Sequence, residues 1–228
     1  MATDTVENPV LQAPAAGFRP NVDHLVTEDD TPVDNVFSEK QQRLLSEPLF
    51  SSWAGPGEGR PFVAMSNVGL FYAVHRPPYV PDMMLSLDVE LPEDLWAKEH
   101  RSYFVWEYGK MPEVVVEVVS NREGGEDSEK LTGYARIGIC YYVIYDPDAW
   151  LNADPLRAFK LDGRKYRPLA EPISFPEIGL GLQIWQGRYE DMDGTWLRWV
   201  DAEGQVIKTG SERAEEERAR AQLAQEPA

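Results

Sequence analysis

Hydrophobic and polar positions change period several times along the chain, and each change marks an element. Residues 1–34 carry Pro9, Pro14, Pro20 and Pro32 among acids and alanines with no apolar period, and read as an irregular arm. The stretch VFSEKQQRLLSE then sets Phe37, Gln41, Leu44 and Leu45 on one face. Asp34 or Asn35 can cap it and Pro48 can stop it, which predicts a short amphipathic helix. RPFVAMSN, VGLFYAVH and VPDMMLSLDVE are short apolar runs bounded by Gly and Pro, and predict three strands in a meander. PEVVVEVVS is a stronger strand signal, with five valines around Glu117, and predicts a strand covered on both faces. After the turn-forming NREGGE, DSEKLTGYARIG spaces Leu131, Tyr134, Ala135 and Gly138 as a helix that ends at its glycine. CYYVIYDP follows as a second buried strand. A strand, a helix and a strand in this order predict a crossover with the two strands parallel.

Beyond Leu156 the pattern shortens. Further strands are predicted up to Trp199, with turns at Asp162-Gly163, Gly187 and Asp193-Gly194. The last segment, SERAEEERARAQLAQEPA, has Arg213/Glu217 and Glu216/Arg220 four apart and predicts a solvated charged helix or a coiled-coil stub. The resulting division is an acidic arm over 1–34, an α/β domain over 35–205 and a charged helical tail over 206–228.

Composition narrows the class. The chain has 228 residues, 43% hydrophobic and 11% aromatic, which excludes disorder throughout and suits one folded domain with extensions. No run of about 18 apolar residues occurs, and MATDTVENPV has neither a basic nor an apolar leader segment. A cytoplasmic protein without membrane spans is expected. The single cysteine, Cys140, excludes an internal disulfide and a cysteine-rich zinc site.

Charge complicates any reading that involves nucleic acid. With 22 basic and 39 acidic residues the net charge is −17, and a uniformly acidic surface repels DNA. Placement matters more than the sum, because seven acids against one base already fall within residues 1–36. A basic cluster, Arg157, Lys160, Arg164, Lys165 and Arg167, is the local candidate for phosphate contact, with Arg157, Lys160 and Lys165 lining a groove.

Two acids stand where strands seldom place them. Asp82 follows Pro81 at the head of a strand, and Glu117 is central in the valine run. A carboxylate with apolar neighbours must be protonated, paired or bound to a cation. If the strands adjoin, the two could share one hard cation, Mg²⁺ or Mn²⁺; a single acid paired with an arginine, or exposed at a strand end, is the plainer alternative. Lys130, at the start of the following helix, could reach the same place and orient a nucleophilic water. His24, His75 and His100 are scattered, Ser120 lacks a G-x-S-x-G elbow, and Gly124-Gly125 lies in REGGEDSEK, which is not a phosphate-binding loop.

The ordered set Pro81-Asp82, Glu117-Val118-Val119-Ser120, Lys130-x3-Tyr134-Ala-Arg-x-Gly138 and Tyr141-Tyr142-Val-Ile-Tyr-Asp146-Pro147 resembles the PD-(D/E)XK nuclease superfamily. More narrowly it resembles the Uma family of restriction-endonuclease-like proteins. The resemblance spans residues 36 to 205, including SLDVELP, GLGLQIWQGRYE and WLRW. It implies an αβββαβ core, a central mixed sheet flanked by helices, with extra C-terminal strands. It further implies Mg²⁺ or Mn²⁺ held by Asp82, Glu117 and the Val118 carbonyl, and hydrolysis of DNA phosphodiester bonds. The superfamily lysine normally stands two residues after the acid; here Val119 does, and Lys130 matches a lysine moved to the helix. An acid from the first helix sometimes completes such sites; Glu47, near the edge of the apolar face, and Glu39, roughly opposite to it, are both open for that place. Superfamily members are often homodimers. The alternative is a catalytically silent nuclease-like fold that serves as a protein-binding or assembly module through its charged C-terminal helix.

Overall fold

Every residue of the valine run Val114–Val118 is buried, and the strand lies inside a six-stranded mixed sheet. The computed structural model describes residues 35–57, 59–121 and 124–225; the acidic arm expected over 1–34 lies outside them. In chain order the elements are α1 (Val36–Ser51), β1 (Phe62–Met65), β2 (Leu70–Phe71), β3 (Met83–Leu87), β4 (Tyr103–Phe104), α2 (Val105–Tyr108) and β5 (Val114–Val118). There follow α3 (Leu131–Ile137), β6 (Tyr141–Tyr145), β7 (Leu156–Asp162), β8 (Lys165–Pro168), β9 (Ile173–Phe175), β10 (Leu180–Tyr189), β11 (Met192–Asp201) and α4 (Gly210–Gln225). The large sheet has the order β1-β3-β5-β6-β7-β8. Only β5 and β6 are parallel, as a connection through a helix requires.

Alternation along the strands divides the core in two. Val114, Val116 and Val118 face Leu45 and Leu49 of α1 and a second sheet, β11-β10-β9, which supplies Phe175, Leu182 and Trp199. Val115 and Val119 face the other way, onto Tyr134 of α3 and Tyr142 of β6. The run therefore contains almost no polar position because neither of its faces meets water. Glu117 is the exception, and it points to the α3 side.

α1 is capped by Asn35, whose Oδ1 accepts the Ser38 N–H at 3.0 Å. The helix does not stop at Pro48 but runs on to Ser51. Proline removes one N–H from the last turn, yet its carbonyl still accepts from Ser52 and Trp53, and Pro48 and Leu49 are buried. α3 ends as expected at Gly138, which takes the left-handed conformation at φ 91°.

Three other expectations are corrected. VGLFYAVH does not join the main sheet: only Leu70–Phe71 is extended, paired in parallel with β4, so β1 lies directly against β3. Gly187 and Gly194 make no turns; they face each other within a long hairpin that turns at Glu190 and Asp191, both at positive φ. A Cβ on Gly187 would lie 2.2 Å from the Trp185 ring, so glycine is needed there for packing and not for a bend. Finally, the segment after 205 is no loose tail at its start. Ile207 and Thr209 are buried, and Arg198 of β11 binds Glu212 of α4 through two contacts of 2.7 and 2.6 Å.

Candidate active site

The ladder between β3 and β5 pairs Met83 with Val116. One rung further, the same register sets Asp82 opposite Glu117, on the face covered by α3. Both acids are buried, at 8% and 1% exposure. Asp82 stands just before its strand begins, so its carboxylate can turn back to the end of β5. Oδ2 accepts the backbone N–H of Val118 at 2.6 Å, and Oδ1 accepts from Gln42 Nε2 of α1 at 2.8 Å. In a strand a residue's N–H and C=O lie on the same side, so the Val118 carbonyl is also directed to the Asp82 edge.

Glu117 is held from the other side. Its Oε2 accepts from Lys130 Nζ at 2.9 Å and its Oε1 from the Tyr134 hydroxyl at 2.7 Å. Lys130 and Tyr134 are four residues apart and so project from one helical face. Lys130 closes a π-helical turn, Glu126–Lys130, that leads into α3, and its ammonium also donates to Glu126 Oε1 at 3.2 Å. The Glu126 backbone carbonyl accepts from the Tyr142 hydroxyl at 2.8 Å, which fixes the turn to the sheet. Turns of this type recur at functional sites because they displace a side chain from the regular helical spacing.

Electrostatics follows from these contacts. Burial pushes the Glu117 carboxyl above its ordinary value, against the pull of the Lys130 charge and the Tyr134 hydroxyl. Burial alone would lower the Lys130 pKa, but Glu117 and then Glu126 outweigh it and hold the ammonium above its ordinary value. Lys130 is therefore charged at neutral pH, a donor and not a base.

The other expected residues are not all gathered here. Glu39 pairs with Arg43 on the surface at 2.7 Å. Glu47 accepts the Gly210 N–H at 3.0 Å and serves the start of α4. The α1 side chain that reaches Asp82 is Gln42, one position past the Gln41 that the helical period set on the apolar face.

The basic cluster is split by strand alternation. Arg157 is paired with Ile144, itself paired with Glu117, so Arg157 shares the face of the acids. Lys160 lies on the opposite face, bound to Glu177 and 5.5 Å from the Tyr141 ring centroid. Lys165 is paired across the hairpin with Asp162 on that same opposite face. No single groove contains all three.

The donor set fits a hard cation. Among the described residues no group of three His, Cys, Asp or Glu side chains could hold a metal ion, which leaves two carboxylates and a backbone carbonyl. Mg²⁺ is commonly bound by one or two carboxylates, with water and substrate phosphate completing its shell. Asp146 contributes nothing to this set: it is buried at the end of β6 and accepts the N–H groups of Trp150, Leu151 and Asn152. Among the described residues, no helix is long and apolar enough to cross a membrane.

A family model described as Uma2, putative restriction endonuclease, matches residues 29–172. The match takes in α1 through β8, with every residue of the two carboxylate grips, and ends where β9 begins. A search of curated proteins found no match.

Proposed function

The chain belongs to the Uma2 family of putative restriction endonucleases, and on that footing we propose that it is a Mg²⁺- or Mn²⁺-dependent endonuclease that hydrolyses DNA phosphodiester bonds. One observation carries the reading: Asp82 and Glu117 stand on opposed rungs of adjoining strands while Lys130 is bound to Glu117. Buried carboxylates cost desolvation even when paired, and such clusters beside a charged lysine concentrate at functional sites. In this reading α1, β1, β3, β5, α3 and β6 form the αβββαβ core.

Asp82, Glu117 and the Val118 carbonyl would hold the cation. When bound, such an ion lowers the pKa of a coordinated water and polarises a phosphoryl oxygen. Gln42 and the Val118 N–H keep Asp82 aimed at the shared edge, and Tyr134 fixes the rotamer of Glu117. Lys130 would orient the attacking water and offset negative charge that grows on the phosphate, the water's proton passing to solvent and the leaving oxygen taking one from it. Glu126 retains the lysine on its other side.

The test is nicking of supercoiled and single-stranded DNA by the purified protein in Mg²⁺ or Mn²⁺, with a chelator control and Asp82→Asn alongside. Cleavage that requires both the metal and Asp82 is expected. A protein that binds no divalent ion at these residues and cuts no DNA is instead the silent scaffold.

A further inference from the structure

Arg157 stands two strands from Glu117 in the same cross-strand row, through Ile144, and therefore on the same face of the sheet. Its side chain is only 16% exposed. Nε and Nη2 are buried and have no hydrogen-bond partner. The carboxylate beside it, Asp127 Oδ2, is 3.8 Å from Nη1, beyond hydrogen-bond length. Elsewhere the fold answers a buried guanidinium more fully: Arg198, at 3% exposure, has both Nη atoms on Glu212 and only Nε without a partner.

Leaving charged donors buried and unanswered is expensive, and apolar side chains would fill the same space at lower cost. Nε and Nη2 form one edge of the guanidinium, with two parallel N–H groups spaced for two oxygens of a phosphate or carboxylate. Of the buried acids on α3's approach and β5, Glu117 is held by Lys130 and Tyr134, and Glu126 gives Oε1 to Lys130 while its Oε2 has no partner; neither makes a hydrogen bond to Arg157.

We propose that Arg157 is a phosphate-binding side chain of the candidate active site, taking a backbone phosphate of the nucleic acid beside the scissile bond. The inference rests on the nuclease reading and deepens it. Lys160 and Lys165, on the opposite face, have no part in this contact.

The experiment compares wild type, Arg157→Met and Arg157→Lys. Binding of a labelled DNA duplex is followed by anisotropy in chelator over a series of salt concentrations, with thermal melting of the free proteins alongside. Loss of one phosphate contact should reduce the slope of log affinity against log salt by about one. Arg157→Lys should keep most of the slope and lose affinity, since it retains the charge but not the fork. Arg157→Met should melt at or above the wild-type temperature, because it removes unanswered donors from the interior.

An Arg157→Met protein that melts lower and keeps the wild-type salt slope would make Arg157 a structural residue and overturn the inference. So would a wild type that binds no DNA. The nuclease reading is judged separately, on cleavage by wild type in Mg²⁺ or Mn²⁺. A wild type that binds but never cuts removes that reading and leaves the salt-slope comparison to decide Arg157.

Discussion

Asp82 closes the β3 side of the end of β5: its Oδ2 accepts the Val118 N–H at 2.6 Å, beyond the last rung between the two strands. One carboxylate thus satisfies a buried backbone donor and faces the Glu117 rung. Fold and chemistry share the residue, so the choice of substitution decides which of the two is tested.

Asp82→Asn keeps an oxygen for the Val118 N–H and removes the negative charge. Its amide nitrogen replaces the acceptor of Gln42 Nε2, so it should melt between wild type and Asp82→Ala, and it should lose metal-dependent cleavage. Asp82→Ala should lose cleavage as well, but it leaves Val118 and Gln42 without their buried acceptor, at a cost of about 1–3 kcal/mol. Urea denaturation of both variants separates the effects. An Asp82→Asn protein that still cuts at the wild-type rate excludes Asp82 as a ligand.

Gln42 acts through Asp82. Gln42→Leu fits a buried position but removes the donor to Asp82 Oδ1. Loss of a partner that orients a metal-binding side chain typically lowers affinity or activity by about 10–100-fold. Metal titration followed by calorimetry should show that weakening while the fold is retained; unchanged metal affinity would reduce Gln42 to packing.

Lys130 and Glu117 should prove strongly coupled in stability. Lys130→Met leaves Glu117, 2% exposed in its side chain, as a buried charge with only the Tyr134 hydroxyl. Breaking one side of such a pair costs about 3–5 kcal/mol. Adding Glu117→Gln removes the stranded charge and should restore much of the loss. A denaturant double-mutant cycle measures the coupling, and additive single effects would contradict the pairing.

The parts of this architecture legible in the sequence are those where one pattern had one physical cause. The valine run could only be a strand buried on both sides, and a carboxylate inside it had to be answered by a partner. Gly138 could stop α3 because it tolerates positive φ. VGLFYAVH misled because its apolar residues serve small clusters, with Phe71 packed on Phe104, and not a ladder of the main sheet. The groove from Arg157 and Lys160 contradicted a rule already in hand: residues three apart on a strand face opposite sides. The position of Gln42 was hidden because a helical pattern marks buried glutamines without saying what they meet. Thr209-Gly-Ser-Glu212 forms a capping box and shows where α4 is fastened.

That fastening yields the last prediction. Arg198 is almost wholly buried, and its charge is met by Glu212 from α4 and by the Ile207 carbonyl at 3.0 Å. Glu212 also accepts the Thr209 N–H at 2.7 Å, so one carboxylate caps the helix and neutralises the core arginine. Removing it should cost about 3–5 kcal/mol through the stranded charge, whereas Thr209→Ala should cost only the cap, about 0.5–2 kcal/mol. A chain ending at Gln205 loses Ile207 and Glu212 together and should be the least stable of the three. Burial would raise the Glu212 pKa, but Arg198 and the Thr209 N–H bring it below its ordinary 4.5. A carboxylate with a depressed folded pKa contributes stability that is complete above its ordinary value and is lost as pH falls below it. Wild type should therefore lose stability on acidification below about pH 4.5 more steeply than Glu212→Gln, which has no such proton to take up. Melting curves across pH 3 to 7 would show the difference. Equal acid dependence, or a chain ending at Gln205 that melts with the full protein, would mean that α4 is an appendage and that Arg198 is answered in another way.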